Sequence, residues 1–410
     1  MVKYKYLKFA ERKDTNCDKW DGLQENFGRD DLIPAWVADM DIEAPACVQQ
    51  ALAEAVAHNV YGYYRTPGNL HRVFVDWEKK YHGYAVKEEW IRFAPGVVQS
   101  IYWLLEILTK PGDGVVILDP VYYPFRNAIR ETGRTVCPVP LINEEGRYRI
   151  DFDAFERVIV ESGAKVHIMC SPHNPVGRVW SREEIKRVLD ICRAHGVYVI
   201  ADEIHQDLVV QEAECGGGNA FRENVAAATA GNPGEYDSRL ITLTSASKTF
   251  NLAGMQNSFV IIPDEKLREE FDRFTTKIHI KDGGNMGYIS YTAAYEHGRE
   301  WLQELRGLIR DNAELLRSRL AEGAPKAVLS PLEGTYLQWV DLSAYAKAWE
   351  EEGLTTEDFV LQRCGVAPDF GEWFGGEAYK NFIRLNLATS PENAERIAKG
   401  LIRGLSILHL

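Results

Sequence analysis

The chain has 410 residues, 45% of them hydrophobic and 26% charged, the balance of an ordinary globular protein with room for two or three domains. A formal net charge of −13 argues against nucleic acid or an anionic membrane as the main partner, while leaving room for a local basic pocket for a small anion. No apolar run reaches the roughly 18 residues of a membrane span, the opening MVKYKYLKFAERKD has no apolar centre of the signal-peptide kind, and the scattered cysteines form no C-x-x-C pair, so reduced thiols in the cytoplasm are expected.

In chain order, Ala44-Pro45 opens a helical pattern that runs to His58. Val97–Thr109 has helical spacing after Pro95-Gly96. Gly114–Leu118 is a short apolar run that ends at Asp119-Pro120, and Lys165–Cys170 is another, ending at Ser171-Pro172. Ser181-x-x-Glu184 is a capping box that starts a helix to His195, closed by Gly196. Val197–Ala201 reads as a buried strand ending at Asp202, Leu240–Leu243 as one ending at Thr244-Ser245, and Ser258–Ile262 as a last short strand. Gly216–Gly218, the Ala-rich stretch after it and Asn232-Pro233-Gly234 read as a surface loop.

Apolar runs separated by helices imply an α/β fold with a mostly parallel sheet covered on both faces. After about residue 290 the pattern changes to a long charged helix, roughly Tyr291–Gly323, and then to strands near Gly334–Val340 and Phe382–Leu387. This predicts a large domain over 46–290 and a smaller α+β domain over 291–410, which residues 1–45 rejoin.

Open α/β sheets bind ligands beyond the carboxyl ends of their strands, and the unusual polar residues gather at those ends. Asp119-Pro120-Val121-Tyr122-Tyr123, Ser171-Pro172-His173-Asn174-Pro175, Asp202-Glu203-Ile204-His205 and Ser245-Ala246-Ser247-Lys248 each follow a predicted strand. Together they would bring aromatic, amide, carboxylate, imidazole and amine groups to one rim. No H-E-x-x-H, Cys/His cluster, G-x-S-x-G, Walker loop or G-x-G-x-x-G is present, so neither a metal site nor those chemistries are expected.

Ser245-Ala246-Ser247-Lys248-Thr249-Phe250-Asn251-Leu252-Ala253-Gly254 resembles the S-x-S-K-x-F-x-x-x-G segment of fold-type I pyridoxal-phosphate enzymes, the class I/II aminotransferase superfamily. Asn174-Pro175-x-Gly177 and Asp202-Glu203 support it. Within that superfamily, Ala35-Trp36-Val37-Ala38-Asp39-Met40-Asp41, Tyr61-Gly62-Tyr63, Asp202-Glu203-Ile204-His205 and Ala294-Tyr295-Glu296-His297-Gly298 resemble the MalY/PatB group of cystathionine β-lyases, the cystalysin-like C–S lyases.

The resemblance implies pyridoxal 5'-phosphate carried on Lys248, which would also be the base at the substrate Cα. Asp202 would pair with the pyridine nitrogen, Asn174 would donate to the ring oxygen, His205 would lie near that oxygen or stack near Asp202, and Tyr122 would stack on the ring with Tyr123 in the wall. Backbone N–H groups of Val97 and Val98 at a helix start, the Ser245 hydroxyl, and Tyr63 from a second subunit would hold the phosphate, which implies a homodimer. Where the wider family has an arginine on the phosphate this chain has Gln256, leaving the charge less directly balanced. Arg384 would grip the substrate α-carboxylate bidentately, with Trp36 and Asp39 lining the substrate entrance and Ala38 and Asp39 near that carboxylate. The reaction implied is β-elimination from L-cystathionine or a related L-cysteine S-conjugate, and an amino-transfer reaction is the alternative.

Overall fold

The computed structural model describes residues 4–212 and 221–406. Gly216–Gly218, and with them Cys215, lie outside the described residues. In chain order the strands are β1 (Ile33–Ala35), β2 (Ile91–Ala94), β3 (Gly114–Asp119), β4 (Thr135–Pro140), β5 (Ile142–Glu144), β6 (Arg147–Arg149) and β7 (Val166–Cys170). They continue as β8 (Tyr198–Asp202), β9 (Leu240–Thr244), β10 (Ser258–Ile261), β11 (Val328–Leu329), β12 (Leu337–Asp341), β13 (Val366–Phe370) and β14 (Phe382–Asn386).

Seven strands form the main sheet in the order β2-β10-β9-β8-β7-β3-β4. The pairs from β9 to β4 are parallel, whereas β10 runs antiparallel to both of its neighbours. Every residue of β3, β7 and β9 is buried, because helices cover both faces of a parallel sheet and leave no polar side. The helix Arg182–Ala194 shows how that cover is encoded. Its capping box is formed, with Glu184 N donating to Ser181 Oγ at 3.1 Å and Ser181 N to Glu184 Oε2 at 2.8 Å, and it buries Ile185, Val188, Leu189 and Cys192, a single stripe at helical spacing.

A second sheet has the order β1-β13-β14-β12-β11. β1 joins it parallel to β13, so the N-terminal segment packs on strands from the far end of the chain. β13 and β14 run antiparallel with Asp369 opposite Arg384. Among the described residues, no helix is long and apolar enough to cross a membrane.

Three sequence expectations change. The helical pattern of Tyr291–Gly323 is two helices, Asn285–His297 and Arg299–Gly323. They divide at Gly298, where a Cβ would lie 2.5 Å from the Ala294 carbonyl oxygen and 2.6 Å from Phe250 Cε1, so the position has no room for a side chain. The Ala-rich stretch is not a surface loop throughout. Ala226, Ala227 and Ala230 are buried, because small side chains let the chain lie close against the core. The early helix begins at Ala46, after Pro45.

Candidate active site

Parallel β3, β7, β8 and β9 release the chain at one edge of the sheet, and antiparallel β10 enters at that same edge. A cavity of about 300 Å³ opens there, within the size range of small-molecule sites. Tyr122 reaches it after β3, Asn174 after β7, Asp202 and His205 at the end of β8, and Lys248 after β9. Gln256 and Asn257 line it just before β10 begins. The loops are tied together: Tyr122 N donates to Asn174 O at 3.0 Å. The rim expected from the strand ends is therefore assembled.

Lys248 rides a short helix, Ala246–Thr249. Its Nζ donates to the Ala38 carbonyl at 2.7 Å. Burial lowers its pKa to about 8; Asp39 opposes that fall, Arg384 adds to it and Asp202 opposes it. Burial raises the Asp202 carboxyl to about 7, against the Ile204 N–H, 3.1 Å away, and the charge of Lys248. His205 is pushed well below the usual imidazole range, first by burial and then by Lys248 and Arg384, so it is neutral. Its ring meets Tyr336 edge-on, with centroids 5.9 Å apart. The Tyr122 hydroxyl is raised by burial and stays protonated.

Arg384 adjoins the cavity through Asn174, donating from Nη1 to Oδ1 at 3.0 Å. Its Nη2 meets the Trp36 carbonyl at 3.3 Å and the Asp369 carboxylate. Trp36 therefore contributes its backbone here. Its indole packs edge-on against Phe27, centroids 5.1 Å apart, and donates to Lys19 O at 3.0 Å. Ala38 lines the cavity and its carbonyl also accepts from Tyr336 at 2.7 Å. The Asp39 carboxylate is taken by Arg12 through two contacts of 2.7 Å. Tyr123 stands beside Tyr122, centroids 5.4 Å apart, and packs edge-on against Trp373 and Phe374.

Val97 and Val98 also line the cavity, where the Val97–Leu108 helix starts. No side chain caps that helix, so its first N–H groups and dipole are available to an anion. Ser245 does not line the cavity. It adopts an extended backbone as the cap of the Lys248 helix, and its hydroxyl is spent on Asn257 O at 2.7 Å and Tyr291 Oη at 2.8 Å. Ser247 lines the cavity instead. Tyr63 is wholly exposed and reaches no part of its own chain's cavity.

These donors fit pyridoxal phosphate. The buried Asp202 carboxylate, whose one hydrogen-bond donor among the described residues is the Ile204 N–H, suits a pyridinium. The Lys248 amine suits the aldehyde, and the uncapped helix start suits the phosphate. Asn257 Nδ2 and His205 Nδ1 are buried with no hydrogen-bond partner among the described residues, as polar atoms left for a ligand would be. Among the lining residues Lys248 is the sole lysine or arginine, so Gln256 leaves the phosphate end with neutral donors.

Sequence reasoning missed Ser247, Asn257, Tyr336, Asp369 and Arg12. Ser247 lay inside the motif that singled out Ser245, and helix geometry separates the two. The other four depend on partners far along the chain. A larger groove, about 420 Å³ and lined by Cys47, Glu54 and His297 among others, lacks the amine facing a carboxylate.

The fold and this constellation define a class, and residues 23–401 match the family of aminotransferases of class I and II. The chain belongs to that family. Within it, the chain is 33% identical over 398 residues to cystathionine β-lyase PatB of Bacillus subtilis, covering 96% of this chain and 99% of that protein. Cystalysin from Treponema denticola, solved with pyridoxal 5'-phosphate, superposes with a TM-score of 0.89 at 30% identity, over 100% of both chains. The pyridoxal-phosphate-bound C–S lyase of Staphylococcus hominis superposes at 0.88 and 31% identity, over 98% of both.

Proposed function

We propose that this chain is a pyridoxal-phosphate carbon–sulfur β-lyase, cleaving L-cystathionine or a related L-cysteine S-conjugate to a thiol, pyruvate and ammonia. The observation that carries this reading is the near-full-length likeness to PatB, a cystathionine β-lyase, and to two C–S lyase structures, on a chain that keeps Lys248 and Asp202 in one cavity and Arg384 beside it, bonded to the cavity residue Asn174.

Pyridoxal phosphate, when bound, supplies an electron sink for the charge left on the substrate Cα. The chain's own groups do the rest. Arg384 takes the α-carboxylate and turns the Cα–H toward Lys248. Near neutral pH a lysine lowered to about 8 has a usable neutral fraction and accepts the Cα proton. Asp202 would hold a proton at the ring nitrogen when the cofactor is bound. Asn174 and His205 would offer hydrogen bonds to the bound ring, His205 as a neutral imidazole. The Cα–H and Cβ–S bonds break, a carbon–carbon double bond forms, and the sulfur leaves as thiolate and takes up a proton. Water then hydrolyses the released enamine to pyruvate and ammonia. Sulfur is the natural leaving atom because a thiol is far more acidic than an alcohol.

The active unit in this reading is a homodimer in which Tyr63 of one subunit serves the phosphate of the other. Its support is the exposure of Tyr63 together with Tyr61, Val60 and Val56, an apolar stretch that a second subunit would cover.

A lactate-dehydrogenase-coupled assay with L-cystathionine and no keto acid tests the reaction. Pyruvate and free thiol in equal amounts are expected, with L-serine much slower. Turnover that requires 2-oxoglutarate or another keto acid would make the enzyme an aminotransferase.

A further inference from the structure

We propose that Asp369 is the resident counter-ion of Arg384 and weakens the cavity's hold on the substrate carboxylate by sharing the same guanidinium. The inference rests on the reading of Arg384 as the carboxylate grip.

The pairing is built into the second sheet. Antiparallel β13 and β14 set Asp369 directly opposite Arg384, and both are buried, at 3% and 2% exposure. Asp369 Oδ2 accepts from Arg384 Nη2, which is also 3.3 Å from the Trp36 carbonyl. Nη1 donates to the Asn174 amide oxygen at 3.0 Å, and Nε is buried without a partner among the described residues. The Phe374 ring covers the guanidinium, 4.9 Å from its carbon. Among the described residues, Asp369 is the one carboxylate in ion-pair contact with Arg384.

A buried guanidinium with no anion is strongly disfavoured. Asp369 removes that penalty while the cavity awaits substrate. Burial holds the Asp369 carboxyl up at about 6, with Arg384 pulling it down, so its carboxylate form prevails at neutral pH. The contact an arriving carboxylate can displace is the one to Asn174, since a neutral amide accepts a weaker hydrogen bond than a carboxylate does. The substrate then takes Nη1 while Asp369 keeps Nη2. It meets an arginine whose charge is already countered, and it binds less tightly than it would to an arginine without Asp369. Carboxylate products leave more easily for the same reason.

The probe is 3-(methylthio)propanoate, which keeps the carboxylate and sulfur but has no amine to react, with its neutral primary amide as control. Binding to the cofactor-loaded enzyme is measured by calorimetry. Asp369→Asn keeps an oxygen for Nη2 and removes the charge; Asp369→Ser is a second neutral variant. Either is expected to bind the carboxylate about tenfold tighter than wild type, with binding of the amide unmoved. Carboxylate binding that is equal or weaker in both variants overturns the proposal, and so does an equal gain for the amide, which would mark a general change in the pocket. Arg384→Lys separates the two readings. If it binds the carboxylate as wild type does, the grip itself is misassigned. If it loses the carboxylate while the Asp369 variants match wild type, only the counter-ion inference fails.

Discussion

Lys248 Nζ and the Ala38 carbonyl oxygen stand 2.7 Å apart although 210 positions separate them in the chain. The segment that follows β1 thus closes over the amine that β9 delivers. An amine so placed, with its pKa lowered to about 8 by burial, is a nucleophile only in its neutral form. Capture of pyridoxal phosphate by the apoprotein should therefore speed up as pH rises through about 8 and level off above it. Stopped-flow absorbance reads the rate, and a flat profile would exclude Lys248 as the group. Borohydride reduction followed by peptide mapping should place the cofactor on Lys248 alone, and Lys248→Ala should take no label.

Asp202→Asn keeps the shape and removes the charge that a protonated ring nitrogen needs. The loss falls on the reaction path, so kcat should drop on the order of a hundredfold or more, with a smaller change in substrate affinity. Steady-state kinetics with L-cystathionine checks this, and near-normal kcat would remove Asp202 from the mechanism.

Arg384→Ala should raise KM for every amino-acid substrate by the equivalent of about 2–5 kcal/mol. Arg384→Lys should recover only part of it, because an ammonium cannot hold Asp369 and the substrate carboxylate in the two fixed directions that the planar guanidinium gives them. Comparison of KM across L-cysteine S-conjugates tests whether the loss is common to all of them, as a grip on the shared carboxylate requires.

Subunit mixing tests Tyr63. A Tyr63→Ala chain paired with a Lys248→Ala chain forms one site that carries neither lesion, so mixing two poorly active proteins should restore part of the activity. A fully active monomer in sedimentation would remove the shared site.

Asp207 is a stability test away from the chemistry. It accepts from Trp77 Nε1 at 2.9 Å and Thr249 Oγ1 at 2.8 Å and pairs with His82 Nε2 at 2.9 Å, all of them buried. Asp207→Ala takes the acceptor from Trp77 and Thr249 and the paired carboxylate from His82, which keeps only the charge of Glu78 nearby, and should cost about 3–5 kcal/mol in denaturant unfolding. Its carboxylate sits beside the helix that carries Lys248, so cofactor loading should fall with it.

By itself, the sequence was enough to locate the rim. Tyr122, Asn174, Asp202, His205 and Lys248 each follow an apolar run, and parallel strands must release their chains at one edge, so local pattern carried long-range information. Val97 and Val98 were legible for a similar reason, as a helix start after Pro95-Gly96. Only the tertiary structure decided what those groups meet. Ser245 and Ser247 have the same side chain two positions apart, yet an extended cap backbone turns one onto Asn257 and Tyr291 while the other lines the cavity. Arg12 holds Asp39, Phe250 and the Ala294 carbonyl crowd Gly298, and Asp369 faces Arg384 through the register of β13 on β14. Such pairings join residues whose separation in the chain says nothing of their separation in space. They are fixed by strand register and close packing, which no local pattern of apolar and polar residues encodes.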